Sequence, residues 1–331
     1  LKKALLLLIF LGTLLVASHA TTIQPIEKDT LILPIPTDTV RAGIYITSIH
    51  NIDFREKEYT IDLWLWLRYK NHSLDFYQNL EVPQAKTVIK SFATIDSSDG
   101  QIYLLMKLQC VMNDSWRINN FPFDSQTLRF AIENSQFDKH AMVFVVDTLG
   151  KQFDPRFTLS GWNINKLSVS SEIKKYETAF GDKTIPKPHT EYSSFITRIK
   201  IGRHALGLFW KMFLGMYVAF LTAFACFYIH LDNSDSRFGL AVGSLFAVIG
   251  NKYIVEASLP ESVTFTLVDM LHGVTLVFIL IVIVCNVISL NLYKKRKNAQ
   301  VARFNSIAGK LMIVAYILIN IFFIGTAIKG S

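Results

Sequence analysis

The residues with most scope for chemistry stand on one face of one apolar segment. Around 237–260, RFGLAVGSLFAVIGNKYIVEASLP, a helical step of 100° per residue gathers Asp235, Gly239, Gly243, Phe246, Gly250, Tyr253 and Ala257 into an arc of roughly 80°. A carboxylate at one end of such a stripe can select ions by charge. A single ring midway can exclude water, and glycines leave width. The pattern therefore fits the wall of a water-filled lumen. It fits a packing seam equally well, because Gly239 and Gly243 make a GxxxG match. Leu240, Val248 and Ile249 fall outside the arc and are expected to face lipid. Arg237 lies ~200° around the helix from Asp235 and is expected to point away from the stripe.

A second group of ionisable residues follows. Lys252 and Glu256 are one turn apart, and so are Asp269 and His272 in the next apolar segment. Charged groups at that depth are costly and often functional. Protonation of Glu256, Asp269 or His272 is one stimulus they could serve, with a histidine titrating near neutrality. A static polar cluster near the outer membrane surface is the other reading. Enzyme chemistry has little support: the sequence holds no phosphate-binding glycine loop, GxSxG, HExxH or CxxC. Its histidines are scattered without metal-ligand spacing. No metal or cofactor is implied.

The elements that must position these residues are legible from hydropathy. The chain has 331 residues, 51% of them hydrophobic and 18% charged, with mean hydropathy +0.32. That is too apolar for a soluble protein and too charged for one wholly in the membrane. Four helices are expected, at about 207–230, 237–257, 263–292 and 306–328, each near the ~20 residues needed to span a bilayer. A charged start, a short apolar core and Ser18-His19-Ala20 make residues 1–20 a secretory signal peptide, with a membrane anchor as the alternative. Residues 21–203 are then exported. The net charge of +8 is read as topology rather than nucleic-acid binding. Lys294 to Lys297 and Arg303 fall in a short basic connection at 291–305, on the cytoplasmic side. This leaves the N-terminal domain and the C-terminus outside, in a multi-pass protein of the plasma (inner) membrane.

The exported part reads as all β. Residues 59–70 alternate, with Tyr59, Ile61, Leu63, Leu65, Leu67 and Tyr69 on one face. Trp64 and Trp66 lie among charges on the other, which fits either a covered outer face or a subunit interface. Further strands are expected at 101–113, 127–134, 142–147, 161–170 and 194–202. They are separated by turns at Asp96–Gly100, Asp154-Pro155, Gly181-Asp182 and Pro186/Pro188. A β-sandwich is the fold these imply. Cys110 is the only cysteine of residues 21–203, so a disulfide within that domain is excluded, and it is expected to be buried. Almost no spacer separates the sandwich from the first membrane helix, so the two should be mechanically coupled.

FPFDSQTL at 121–128 makes the architecture specific. It resembles the signature loop of the pentameric ligand-gated ion channels, the Cys-loop receptor superfamily. The resemblance continues through SGWNI at 160–164, Arg203 before the first membrane helix and EASLP at 256–260. The bracketing cysteines of animal receptors correspond to Asp114 and Leu128, as in the Cys-less prokaryotic-type branch. The large cytoplasmic domain of animal receptors is missing, and Gly215 stands where a proline is usual.

The resemblance implies a homopentamer around a central pore lined by the second membrane helix. Pore-lining residues would be Asp235, Gly239, Gly243, Phe246, Gly250 and Tyr253. Asp235 would form an acidic ring favouring cations, and Phe246 a dewetting gate. It implies an agonist between subunits, near Glu133, Phe137, Tyr176, Phe180 and Tyr192, where a carboxylate among aromatics suits a small amine. Glu133 as a solvated strand-end residue is the plain alternative. Coupling is expected through Phe121, Pro122, Phe123, Asp124, Arg203 and Pro260, with Asp124 and Arg203 as an ion pair. A proton-gated channel of the same family and a non-conducting membrane sensor are the rival functions.

Overall fold

The computed structural model describes residues 38–330 apart from 148, 149, 157, 182, 184–188 and 263. The expected signal peptide, Asp182 and the Pro186/Pro188 turn lie outside the described residues. Two sheets form the N-terminal half. β1 (Asp38–Asp53), β2 (Glu58–Tyr69), β4 (Ala85–Ser98), β5 (Gln101–Asn113) and β7 (Met142–Val146) run in the order β4-β5-β2-β1-β7. β3 (Leu80–Glu81), β6 (Ser125–Asn134), β8 (Trp162–Tyr176) and β9 (Thr190–Arg203) run in the order β3-β6-β9-β8. A single turn, α1 (Phe76–Asn79), is capped by Asp75.

The alternation of β2 sets the core. Tyr59, Ile61, Leu63, Leu65 and Leu67 are fully buried and share a core with Phe130, Ile132 and Phe195 of the facing sheet. Each such side chain stabilises the fold by about 1.5–3 kcal/mol. The Tyr59 hydroxyl donates to the Arg129 carbonyl at 2.6 Å and ties the sheets together. Cys110 is buried on β5, and burial pushes its thiol up to about 12. Trp64 and Trp66 are covered within the chain. Trp66 lies so close over Gly43 that a Cβ there would meet the indole at 2.2 Å, and its Nε1 donates to Asp147 at 3.0 Å. Trp64 meets Phe92 edge-on at 5.6 Å.

β1 and β4 were not expected from the sequence. Both carry bulges, at Ile46/Ser48 and His50/Asp53 in β1 and at Ala85/Thr87 and Lys90/Phe92 in β4. A bulge shifts the inside-outside phase by one residue and erases period two. β8 also runs to Tyr176 rather than ending near 170, through a polar stretch that pairs fully with β9. The expected turn at 96–100 is a tight hairpin, with Asp99 and Gly100 both at positive φ (52° and 69°).

Four membrane-length helices follow: α2 (Ala205–Phe224, continued as a 3₁₀ turn to Tyr228), α3 (Ser234–Glu256), α4 (Leu267–Lys294) and α5 (Asn298–Lys329). Only His204 separates β9 from α2. α4 begins at Leu267 rather than 263 because Thr266 and Asp269 form a capping box. The expected connection at 291–305 shrinks to 295–297, since its Lys, Ala and Gln residues continue the flanking helices. Four crossings return the end of α5 to the sandwich side, where Gly330 lies beside Asn120.

Candidate functional site

The helices expose two kinds of face. On α2 the exposed residues are mostly apolar, such as Leu206, Trp210 and Leu214, and on α5 they include Leu311, Leu318 and Phe322. These faces suit lipid. On α3 the whole stripe is exposed: Asp235, Gly239, Gly243, Phe246, Gly250, Tyr253 and Ala257 all stand out of the bundle, along with flanking Val242, Ala247 and Ile254. Phe246 is 67% exposed and Tyr253 70%. A Cβ added at Gly239, Gly243 or Gly250 would meet nothing within 4 Å, so no packing inside the chain requires these glycines. Asp235 lies in the first turn of α3, where the helix dipole favours a carboxylate.

The packing of α3 corrects the lipid expectation for Leu240 and Val248. Val248 is fully buried, and Leu240 is half-buried. α3 packs against α2 and α4, so these two residues meet protein, while Ile249 stays half-buried. Arg237 does point away from the stripe, into the bundle, at 1% exposure.

The sandwich meets the helices at a dense charged node. Arg203 Nε donates to Asp124 Oδ1 at 2.9 Å, and Asp124 is 4% exposed. Gln126 Nε2 donates to the other oxygen at 2.6 Å. The guanidinium also lies over the rings of Trp162 (4.0 Å), Phe54 (4.6 Å) and Phe121 (5.0 Å). Pro122 and Phe123 are buried beside it, and Phe123 contacts Phe209 of α2 at 5.5 Å. Leu267 N, at the start of α4, donates to Asn119 O at 2.8 Å. The loop thus touches α2, α4 and the end of α5. Pro260 makes no recorded bond or ring contact with this node; the link to the α3–α4 segment runs through Asn119 instead. Phe54, Trp162, Gln126 and Asn119 were not singled out from sequence. Trp162 lies in SGWNI, which was noticed, whereas Phe54 and Asn119 carry no motif.

A third cluster lies in the upper sandwich. Glu133 is 4% exposed, and Tyr176 OH donates to its Oε2 at 2.8 Å. Tyr176, Phe180 and Tyr192 pack edge-on with centroids 5.6–6.3 Å apart. Burial raises the Glu133 carboxyl above the usual range, although the Tyr176 bond opposes this. Burial and the Glu133 bond likewise raise Tyr176. Glu133 is therefore no solvated strand-end residue. Phe137 is not part of the aromatic trio; it packs against the sandwich core. Glu81, paired with Glu133 across β3 and β6, adds a second carboxylate that the sequence reading did not single out.

The last cluster sits where α3 and α4 approach the sandwich. Lys252 Nζ lies 3.2 Å from Glu256 and 3.1 Å from Asp269. Asp269 is also the capping carboxylate of α4. His272 is fully buried, with Nδ1 at 2.8 Å from Val268 O and Nε2 at 3.1 Å from Asn251 Oδ1. Asn251 Nδ2 donates to Met212 O of α2 at 3.1 Å. The three charged groups are one network, and His272 belongs to a separate chain of bonds across α2, α3 and α4. Gly215 faces that chain: a Cβ there would come within 3.3 Å of Asn251 Nδ2.

No protein-family profile matches the chain. A proton-gated ion channel of Gloeobacter violaceus is 23% identical over 246 residues, covering 68% of this chain. This chain is thus similar in sequence to that ion channel. The chain spans about 65% of that relative's length. Like that membrane channel, the chain has four helices long and apolar enough to cross a membrane, and they follow a β-sandwich. The match to a channel sequence agrees with the family resemblance read from the motifs.

Proposed function

We propose that this chain is the subunit of a homopentameric, ligand-gated, cation-selective channel whose α3 helices line the pore. The observation that carries the reading is the contrast between exposed faces. An exposed run of Asp235, three glycines, Phe246 and Tyr253 suits neither lipid nor an internal seam, whereas a water-filled lumen accepts it. Five Asp235 carboxylates form an acidic ring at the cytoplasmic mouth and favour cations. Five Phe246 rings dewet the middle and hold the pore shut. The charged node at Asp124 and Arg203 carries motion from the sandwich to the helices. Native mass measurement should give five copies, and planar-bilayer recording should give unitary cation currents. A monomer without currents would favour the sensor reading. Phe246→Ala should leave the channel leaky, with basal current raised several-fold; unchanged basal current at equal expression would remove Phe246 from the gate.

The agonist we propose is a small amine. The buried Glu133 carboxylate beside Tyr176, Phe180 and Tyr192 offers a charge-assisted bond and aromatic faces to an ammonium group. Currents across a panel of amines, amino acids and pH values test this directly.

Protons are the second reading, favoured by His272. Both of its ring nitrogens face oxygens, Val268 O and Asn251 Oδ1, and Asn251 is held in that orientation by Met212 O. A neutral imidazole has one N–H and can satisfy only one of them; the imidazolium satisfies both. Protonation would complete the bonded chain across three helices. The Phe213 ring lies 5.5 Å from the imidazole. Acid-evoked current that persists in Glu133→Gln and disappears in His272→Gln would select protons over amines.

A further inference from the structure

A buried positive charge at the cytoplasmic end of the bundle has no partner among the described residues. Arg237 lies in the first turns of α3 and is among the largest fully buried side chains. Its Nε, Nη1 and Nη2 all lack an acceptor. Nearby carboxylates are engaged or turned away. Asp232 accepts from Tyr293 and pairs with His230 at 3.0 Å, and Asp235 is exposed on the stripe. On α4, Asn286 is 1% exposed, and its amide meets no polar partner among the described residues other than the Cys226 thiol. Cys226 joins the two, since its thiol donates to Arg237 O at 3.1 Å and meets the Asn286 side chain.

An arginine cannot escape this situation by losing its proton. A bare guanidinium in apolar surroundings is among the costliest groups to bury. Water satisfies its N–H groups but leaves the charge uncompensated. The beginning of α3 adds to the same sign: no side chain caps it, so its free N–H groups and dipole also favour an anion. Donors from Arg237 and Asn286 thus belong to one buried cluster near a positive helix end.

We propose that each subunit holds a monatomic anion, chloride in ordinary salt, at the Arg237–Cys226–Asn286 cluster. The near-complete burial of both polar side chains excludes a lipid headgroup. A halide is small enough to take the place of one buried water, whose share of liquid volume is about 30 Å³. The site holds whether or not the protein conducts. Where it does, the anion neutralises the charge behind Asp235 and leaves the field of the acidic ring uncancelled.

Crystals of the full-length protein grown in bromide test this through anomalous scattering at the bromine edge. The expected result is a peak within hydrogen-bond distance of the Arg237 guanidinium, absent in Arg237→Gln. If Arg237→Gln does not fold, Asn286→Leu keeps the guanidinium and should lower bromide occupancy at least about two-fold. Replacing gluconate by chloride at constant ionic strength should raise the thermal midpoint of the wild type and not that of Arg237→Gln. Ordered water alone at the guanidinium, a lipid phosphate there, or an equal chloride response in Arg237→Gln would overturn the assignment.

Discussion

Arg203 and Arg237 are both withdrawn from water, at opposite ends of the membrane domain, and their surroundings differ in kind. Arg203 has a carboxylate at 2.9 Å and three aromatic rings around its guanidinium. Arg237 has none of these, and its three guanidinium nitrogens have no acceptor among the described residues. The first charge is balanced by the chain, at the joint where two domains must move together. The second is left for something outside the chain to balance. Burial alone therefore says little about what an arginine does; the identity of its counter-charge says more.

The strongest way to break the comparison is to make Arg203 resemble Arg237. Asp124→Ala leaves a buried cation uncompensated and should cost about 3–5 kcal/mol. Chemical unfolding in detergent measures this, and evoked current should vanish at normal surface expression. Intact gating in that variant would remove the pair from the coupling path. Asp124→Leu combined with Arg203→Met removes both charges at once. It should recover to within about 1–2 kcal/mol of the wild type, because apolar replacements of buried pairs are often neutral. Current should stay absent, which would separate the signalling role of the node from its contribution to stability.

Asp235→Ala sharpens the other end. With Arg237 still in place, the mouth loses its carboxylates, and the ratio of cation to anion permeability should fall several-fold in asymmetric salt. An unchanged reversal potential would sink the selectivity assignment. The smallest effect is expected at Glu133, a buried acid with neither an arginine nor a lysine bonded to it. Burial raises its folded pKa above the ordinary value of 4.5. A carboxyl raised in this way contributes most below pH 4.5 and loses that contribution as pH rises through the folded value. Thermal midpoints measured from pH 4 to 7 should therefore fall with rising pH, and Glu133→Gln should flatten the slope by an amount worth about 1 kcal/mol or less. Amine potency should weaken as pH drops below the raised value, since the ammonium needs the carboxylate.

Regular periodicity was the most legible signal. β2 alternates without a break, and the α3 stripe keeps a helical period from Asp235 to Ala257, so both were readable as faces. β1 and β4 were hidden because their bulges change phase mid-strand, and β4 is an exposed edge with little burial to imprint a pattern. The Asp124–Arg203 pair followed from the resemblance, but its aromatic cage did not. Phe54 reaches the guanidinium from the β1–β2 turn, a distance in sequence that no local spacing encodes. Phe137 is half-buried against the sandwich core instead of joining the trio, a placement that its position in the loop does not encode. The sequence implied that Arg237 points away from the stripe. That nothing among the described residues answers it depends on three-dimensional neighbours drawn from α3, α4 and the turn between α2 and α3.

The passage from β9 to α2 has a consequence for how freely the two halves can be exchanged. With only His204 between them, the available contour is about 3.6 Å, and there is no slack for chain entropy to absorb. A foreign sandwich grafted onto these helices would have to deliver its last strand within that length, on the right axis, before any question of ligand arose. A flexible insert would turn a lever into a tether. The halves are modular in composition and not in fit.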